Sequence, residues 1–243
     1  ADFDELPLRI ARDETGQEIR VSVPIGSDEA VARIWRGKAG RSELCLLDTD
    51  IEPNLPGHRN ITHQLYGGDR TLRIAQELLL GVGGVKALRA LGVAPSVWHM
   101  NEGHAAFQII ERCRELVDQG ADVDAALELV AASTVFTTHT TVPAGHDVFH
   151  VDLVREVLGP YLGKGGLEAE WVQRLGDSGD GDFNMTTLAL RGSRRCNGVS
   201  RVHRDVAARN ESHIWPEVPV RESPMAHVTN GVHVQTFMAL DWV

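Results

Sequence analysis

Twice within forty residues the chain runs from a short apolar stretch straight into a polar cluster. VWHM (97–100) ends in NEGH (101–104), and TVFTT (134–138) ends in His139. Between them lie two helix-forming stretches, AAFQIIERCRELVDQG, with Gly120 past its end, and DAALELVAAS. The pattern returns further on. FNMTTLALRGSRRC reads as a helix, NGVS (197–200) as a strand, VHRDVAARN as a helix, and AHVT (226–229) as a last strand before NGVH. Strands alternating with helices predict an α/β fold with a parallel sheet. Open parallel sheets bind ligands outside the carboxyl ends of their strands. NEGH, Thr138–Thr140, NGVS and TNGVH would therefore face one crevice. The helix after NEGH points its N-terminus there, which suits hydroxyl-rich or anionic ligands. Each cluster also has a plain explanation. Asn-Gly pairs are ordinary turn formers, Glu102 favours a helix N-terminus, and His104 can be a hydrogen-bonded core histidine. Their shared location is what favours function.

The first fifty residues read differently. EIRVSVPI (18–25), AVARIWRG (30–37) and SELCLLDTD (42–50) alternate or run apolar between Gly and Asp turns, and predict an antiparallel segment. The expected division is 1–55 for this segment and 56–243 for a Rossmann-like part. After the loop DIEPNLPGHRN, a long helix starts with Asp69 as N-cap. Leu72, Ala75, Leu78, Leu79, Val82, Val85 and Leu88 form one apolar face, and Gly92 stops the helix. Gly81, Gly83 and Gly84 each cost about 1 kcal/mol in a helix interior, so the three predict close packing against another backbone. LGDSGDGDFNM (175–185) reads as a solvated loop.

Composition narrows the partners. The formal charge is -10, and lysine occurs only at 38, 86 and 164, so nucleic acid is not expected. No apolar run approaches the roughly 18 residues of a membrane helix, and no basic-then-apolar leader opens the sequence. Cys45, Cys113 and Cys196 are far apart and odd in number, which points to buried thiols in a reducing, cytoplasmic compartment. An oligomer stays open.

STVFTTHTTVPAGHDVFH (133–150) holds His139, His146 and His150. Such spacing can ligate a metal or place one imidazole at a reaction centre. Pro143, Ala144 and Gly145 form a turn between the first two, so the three do not share a helical face, and neither HExxH nor Cys/His zinc spacing occurs. No metal is expected. A G-x-S-x-G elbow is missing. Glu102 could serve a paired-carboxylate glycosidase, but no second partner is evident.

LLDTDIEPN, LYGGDRTLRIAQELLLGVGGVKALRALG, HMNEGHAAF, STVFTTHTTVPAGHDVF, FNMTTLALRGSRRCNGVSRVH and HVTNGVH occur in that order between residues 2 and 238. This series resembles the α-glucan phosphorylases (glycogen, starch and maltodextrin phosphorylases), in their shorter bacterial and archaeal branch. The resemblance implies a GT-B glycosyltransferase architecture of two Rossmann-like domains. It implies phosphorolysis of α-1,4-glucan by inorganic phosphate, giving glucose 1-phosphate with retention, and pyridoxal phosphate as cofactor. By this resemblance His139 stands beside the glucosyl ring. Its carbonyl stabilises positive charge developing at the sugar, and its side chain bonds the 6-hydroxyl. Thr140 neighbours it, Glu102 and His104 line the sugar site, Asn101 holds their turn, and Asp69 belongs to a gate loop. Thr141 stands where family members often have Pro, and an aromatic Trp is often found near Phe237. The resemblance further implies an internal piece of the N-terminal domain. The Gly-rich loop near the cofactor phosphate, the second domain and its cofactor-binding lysine would all lie outside it, and the piece alone would be inactive. Binding of glucan or a partner without catalysis is the alternative.

Overall fold

The computed structural model describes residues 6–65, 68–142, 145–164, 166–179 and 181–239. Strands β1 (Arg9–Ile10), β2 (Arg20–Ile25), β3 (Asp28–Ala39) and β4 (Ser42–Asp48) form an antiparallel sheet. β1 and β2 pair along one side of β3, and β4 pairs along the other. Alternation decides the facing: Val21, Val23, Ala30, Ala32 and Ile34 are buried, while the residues between them are more open.

After the short α1 (Pro56–Arg59) comes a helix in three parts: α2 (Arg70–Leu78), a π-helical stretch over Leu79–Gly83, and α3 (Gly84–Ala90). The Asp69 side chain accepts from the Leu72 amide at 2.9 Å, the expected N-cap. Gly92 follows the end with φ +70°. The glycine expectation holds in part. A Cβ on Gly81 would stand 2.8 Å from the Gln108 amide nitrogen, so the π stretch lies directly against the next helix's backbone. Gly83 meets side chains instead, and Gly84 meets open space. The apolar face alone predicts one continuous helix. The π stretch reconciles two faces with different neighbours.

The parallel sheet follows as expected. β5 (Trp98–Asn101) leads through α4 (Phe107–Asp118) and α5 (Val123–Ala132) to β6 (Thr134–Thr138). A pair, β7 (Val148–His150) and β8 (Asp182–Asn184), brackets α6 (Val151–Lys164) and α7 (Ala169–Gly176). Then come α8 (Met185–Arg191), β9 (Arg195–Gly198), α9 (Arg201–Asn210) and β10 (Ala226–His227). The parallel order is β10-β9-β6-β5.

Three boundaries need correction. The stretch expected as one helix from 183 to 196 holds the end of β8, then α8, then the start of β9. NGVS is only half strand, because Ser200 caps α9 through the His203 amide at 3.1 Å. The solvated loop at 175–185 contains β8, whose Phe183 is fully buried and stacks on Phe107 at 6.0 Å. α6 and α7 have no counterpart in the expectations. Gly159, Pro160 and Gly163 mask the first one's period.

One buried cluster joins both sheets. Val23 and Ile34 from the antiparallel sheet share it with Leu78, Phe107, Phe136 and Leu158. Fully burying one such phenylalanine contributes about 1.5–3 kcal/mol.

A candidate functional crevice at the strand ends

β5 stops at Asn101, and the chain turns sharply. Glu102 takes φ +62° there, alone in the left-handed region among the described non-glycine residues. That conformation costs roughly 1–3 kcal/mol outside glycine. Two contacts hold it. The Glu102 amide donates to the Thr137 carbonyl of β6 at 2.9 Å, and the Glu102 carboxylate accepts from the His139 amide. Gly103 follows because a Cβ would come within 3.1 Å of Met185 and Thr186 backbone atoms. The turn is thus wedged against the start of α8, which places His104.

The loop after β6 is anchored at peptides before and after the His139 carbonyl. Besides the Glu102 contact, Thr138 Oγ1 donates to the Thr140 carbonyl at 3.2 Å, and Asn210 Nδ2 donates to the Thr141 carbonyl at 2.9 Å. These anchors flank the His139 carbonyl on both sides.

His104 sits in an ionic knot. Arg73 from α2 binds Asp147 twice, Nε to Oδ1 at 3.1 Å and Nη2 to Oδ2 at 2.7 Å. The His104 Nδ1 atom lies 3.0 Å from Asp147 Oδ2 and 2.8 Å from Arg73 Nη2. Glu77, one turn after Arg73, is 1% exposed and lies 3.1 Å from Arg73 Nη2 and 3.6 Å from His104 Nδ1. Burial pushes the Glu77 carboxyl up to about 8. The Asp147 and Glu77 carboxyls raise His104 to about 9. Burial works to raise Asp147, but the bonds from His104 and Arg73 outweigh it and hold the carboxyl well below its ordinary range.

Glu102, His104, His139, Thr140 and Asp69 line one crevice of about 870 Å³, together with Arg73 and Asp147. Five of the expected side chains therefore share a cavity, while no residue of the NGVS and TNGVH clusters expected there is among its described lining. Asn101 forms the last pair of β5, with Thr137, and starts the turn. Tyr66 and Gly67 of the YGGD stretch, and Pro143 and Ala144 of the proposed turn, lie outside the described residues.

Arg73, Glu77, Asp147 and Glu211 were missed. Arg73 and Glu77 are spaced i, i+4, which reads as an ordinary solvated pair. Only the tertiary fold buries them. Glu211, just past α9, is 7% exposed. Burial, with Glu102 adding repulsion, pushes its carboxyl up to about 7.

Donor atoms of Glu77, His104 and Asp147 lie within 4.8 Å of one another, a metal-like grouping. The Arg73 guanidinium, within 3.1 Å of both carboxyls, already stands where a cation would. His150 is largely exposed beside Asp152. His99 belongs to a row across the sheet. Thr137 Oγ1 donates to Asn197 Oδ1 at 3.0 Å, so it accepts from His99 Nε2 at 2.8 Å.

No family model matches the sequence. Curated relatives do. Glycogen phosphorylase of Mycobacterium tuberculosis is 45% identical over 98% of this chain, which covers 29% of that protein. Maltodextrin phosphorylase of Thermococcus litoralis is 41% identical over 97% of the chain, covering 28% of that protein. Glycogen phosphorylase of Aquifex aeolicus is 30% identical over 97%, covering 34%. By that relationship the chain belongs with the glycogen and maltodextrin phosphorylases, spanning 28% to 34% of the length of these three relatives.

Proposed function

We propose that this chain supplies the sugar-binding wall of an α-glucan phosphorylase, whose whole reaction is phosphorolysis of α-1,4-glucan to glucose 1-phosphate with retention. The carrying observation is the convergence of Asp69, Glu102, His104, His139 and Thr140 on one crevice. Carboxylates, imidazoles and a hydroxyl in one cavity match the donors and acceptors of a glucosyl unit. Glu102, held by its strained turn, pins the loop of His139. The anchored peptides then hold the His139 carbonyl fixed, where it would face positive charge developing at the sugar. A preorganised carbonyl of this kind stabilises a cationic transition state at no reorganisation cost. The His139 side chain, which is exposed, would take the 6-hydroxyl. The GT-B arrangement belongs to this reading, with glucan on one side and inorganic phosphate on the other.

Pyridoxal phosphate supplies acid–base chemistry through its phosphate group in such an enzyme. Lys86 is poorly placed to hold it. Its Nζ donates to the Ser22 carbonyl at 2.9 Å and lies over the Tyr161 ring at 5.2 Å, under the antiparallel sheet. Lys38 lies near the end of β3, away from the crevice. Neither Lys38 nor Lys86 is thus placed to hold the cofactor at this crevice, and the roles above belong to the sugar side alone. The same observation favours a second reading for the isolated chain, glucan binding without turnover.

Titration of the chain with maltoheptaose tests both. Binding that is weakened at least tenfold in His139→Ala and Glu102→Gln is expected, with no glucose 1-phosphate released from maltodextrin and phosphate. No binding by the parent chain at millimolar sugar would overturn the sugar-wall reading. Release of glucose 1-phosphate would overturn binding without turnover.

A further inference from the structure

Buried charges are ordinarily paired. Arg112 of α4 is the most buried arginine or lysine among the described residues, and no carboxylate binds it. Its four Nη hydrogens go to Gln108 Oε1, Thr134 Oγ1, Ser133 Oγ and the Val130 carbonyl, all neutral. The Nε hydrogen has no acceptor among the described residues, and that nitrogen stays open to solvent. Arg112 lines a cleft of about 680 Å³ at the amino end of the parallel sheet. Trp98, the first residue of β5, and Ser133, just ahead of β6, line it too. The two carboxylates of the described lining are already engaged. Glu115 binds Arg89 at 2.9 to 3.3 Å, and Asp118 accepts from Arg114. Those pairs cancel their own charges and leave the charge of Arg112 over. Burial, with Arg89 adding repulsion, works against that charge. Glu115 attracts it, but no hydrogen bond or ion pair joins the two.

We propose that this cleft is an oxyanion site anchored by Arg112, which takes a small ligand carrying a phosphate or a carboxylate group. A guanidinium offers only donors, and a charged acceptor oxygen is the partner its free Nε hydrogen lacks. The anchor is held in place before any ligand arrives. Four hydrogen bonds fix its plane, and its guanidinium carbon lies 4.6 Å from the Trp98 ring centroid. The indole shields one side of the cation from water, which strengthens a charge-assisted bond made on another. Arg89 stands over the same ring at 5.5 Å and adds positive charge to the cleft wall, tempered by Glu115. The crevice of His139 opens at the other end of the strands, so this site does not rest on the sugar-wall reading.

Proton–nitrogen correlation spectra of the ¹⁵N-labelled 243-residue chain test this directly. Arg112→Lys removes the Arg112 Nε–H signal and so assigns it. The chain is titrated with inorganic phosphate, acetate or chloride at constant ionic strength. Phosphate or acetate should shift the Nε–H signal, and the Trp98 and Ser133 amides with it, saturating in the millimolar range. Whichever of the two saturates first identifies the head group. Chloride should leave all three signals in place. In Arg112→Met, which keeps the apolar stem but cannot donate, the two amides should need at least tenfold more oxyanion for the same shift. Signals that do not move in the parent, or move as far with chloride, overturn the site. A folded Arg112→Met whose amides saturate as in the parent overturns Arg112 as the anchor. Should neither variant fold, the Trp98 and Ser133 amides of the parent decide alone, and their failure to saturate overturns the site.

Discussion

The two ends of the parallel sheet each bury an arginine, and they do so by opposite means. At the carboxyl end Arg73 is held by the Asp147 carboxylate and the Glu77 carboxyl. At the amino end Arg112, 7% exposed, meets only neutral partners among its hydrogen bonds: Thr134 Oγ1 at 2.8 Å, Gln108 Oε1 at 3.3 Å, Val130 O at 3.5 Å, and Ser133 Oγ. Its guanidinium lies over Trp98, 4.6 Å from the ring centroid. Burial without a paired carboxylate lowers Arg112 to about 10. The difference teaches where charge is being kept for use. A cation resting on hydroxyls and an aromatic face can be replaced by an apolar side chain. A cation that balances a buried carboxyl, a half-buried carboxylate and an imidazole cannot.

Arg73→Met should show the larger effect. It strands Asp147 and Glu77, and breaking a buried pair on one side costs about 3–5 kcal/mol. Denaturant unfolding measures this, and a loss under about 1 kcal/mol would dissolve the contrast. Arg112→Met should cost less, about 1–2 kcal/mol, since Thr134 and Ser133 keep bonds to the Val130 carbonyl and only neutral hydrogen bonds and the stack on Trp98 are lost. Equal losses at both ends would show that burial alone sets the cost.

Acidity separates the ends further. Glu77 is raised from 4.5 to about 8, Glu211 from 4.5 to about 7, and His104 from 6.5 to about 9. The folded chain therefore holds more protons than the unfolded chain across this range, and stability falls as pH rises from 4.5 toward 9. Asp147 acts in the other direction. Its lowered pKa gives stability that is lost in acid, below its ordinary value of 3.8. Thermal melts at pH values between about 5 and about 9 should fall steadily, and Glu77→Gln should flatten the fall. A Glu77→Gln slope equal to the parent's would place the source in His104 and Glu211 instead.

The smallest expected effect concerns backbone strain. Glu102→Gly relieves the φ of +62° and gives up the bond to the His139 amide. The two changes oppose, so stability should stay within about 1 kcal/mol of the parent. Maltoheptaose binding should nevertheless drop at least tenfold. Unchanged binding would remove Glu102 from the crevice's working groups.

Much of this contrast could not be read along the chain. Local signals gave the alternation of strands and helices, the Asp69 cap and the polar clusters that share the crevice. They have in common a short reach, a few residues at most. Arg73 and Asp147 are 74 residues apart, and their meeting depends on β7, which begins at Val148. Arg112 sits within the predicted helix AAFQIIERCRELVDQG, where a charged side chain reads as solvated. Its burial follows from Trp98 lying across it, a contact between a helix and the first residue of β5. The missed α6 shows the converse. Gly159, Pro160 and Gly163 weaken its local signal, and packing of Val154, Val157, Leu158 and Leu162 into the core stabilises it anyway.

The π-helical stretch at Leu79–Gly83 has a consequence for how this helix can vary. A π turn accommodates one residue more than the α path would need. Each residue added or removed swings everything beyond it by about 100° around the axis. Upstream, Arg73 and Glu77 are phased to the crevice. Downstream, Val85 is buried and Lys86 reaches the antiparallel sheet at Ser22. The turn acts as a vernier between these two settings. Length in this stretch is therefore constrained as well as the glycine at 81, and losing a single residue there would uncouple the crevice from the sheet behind it.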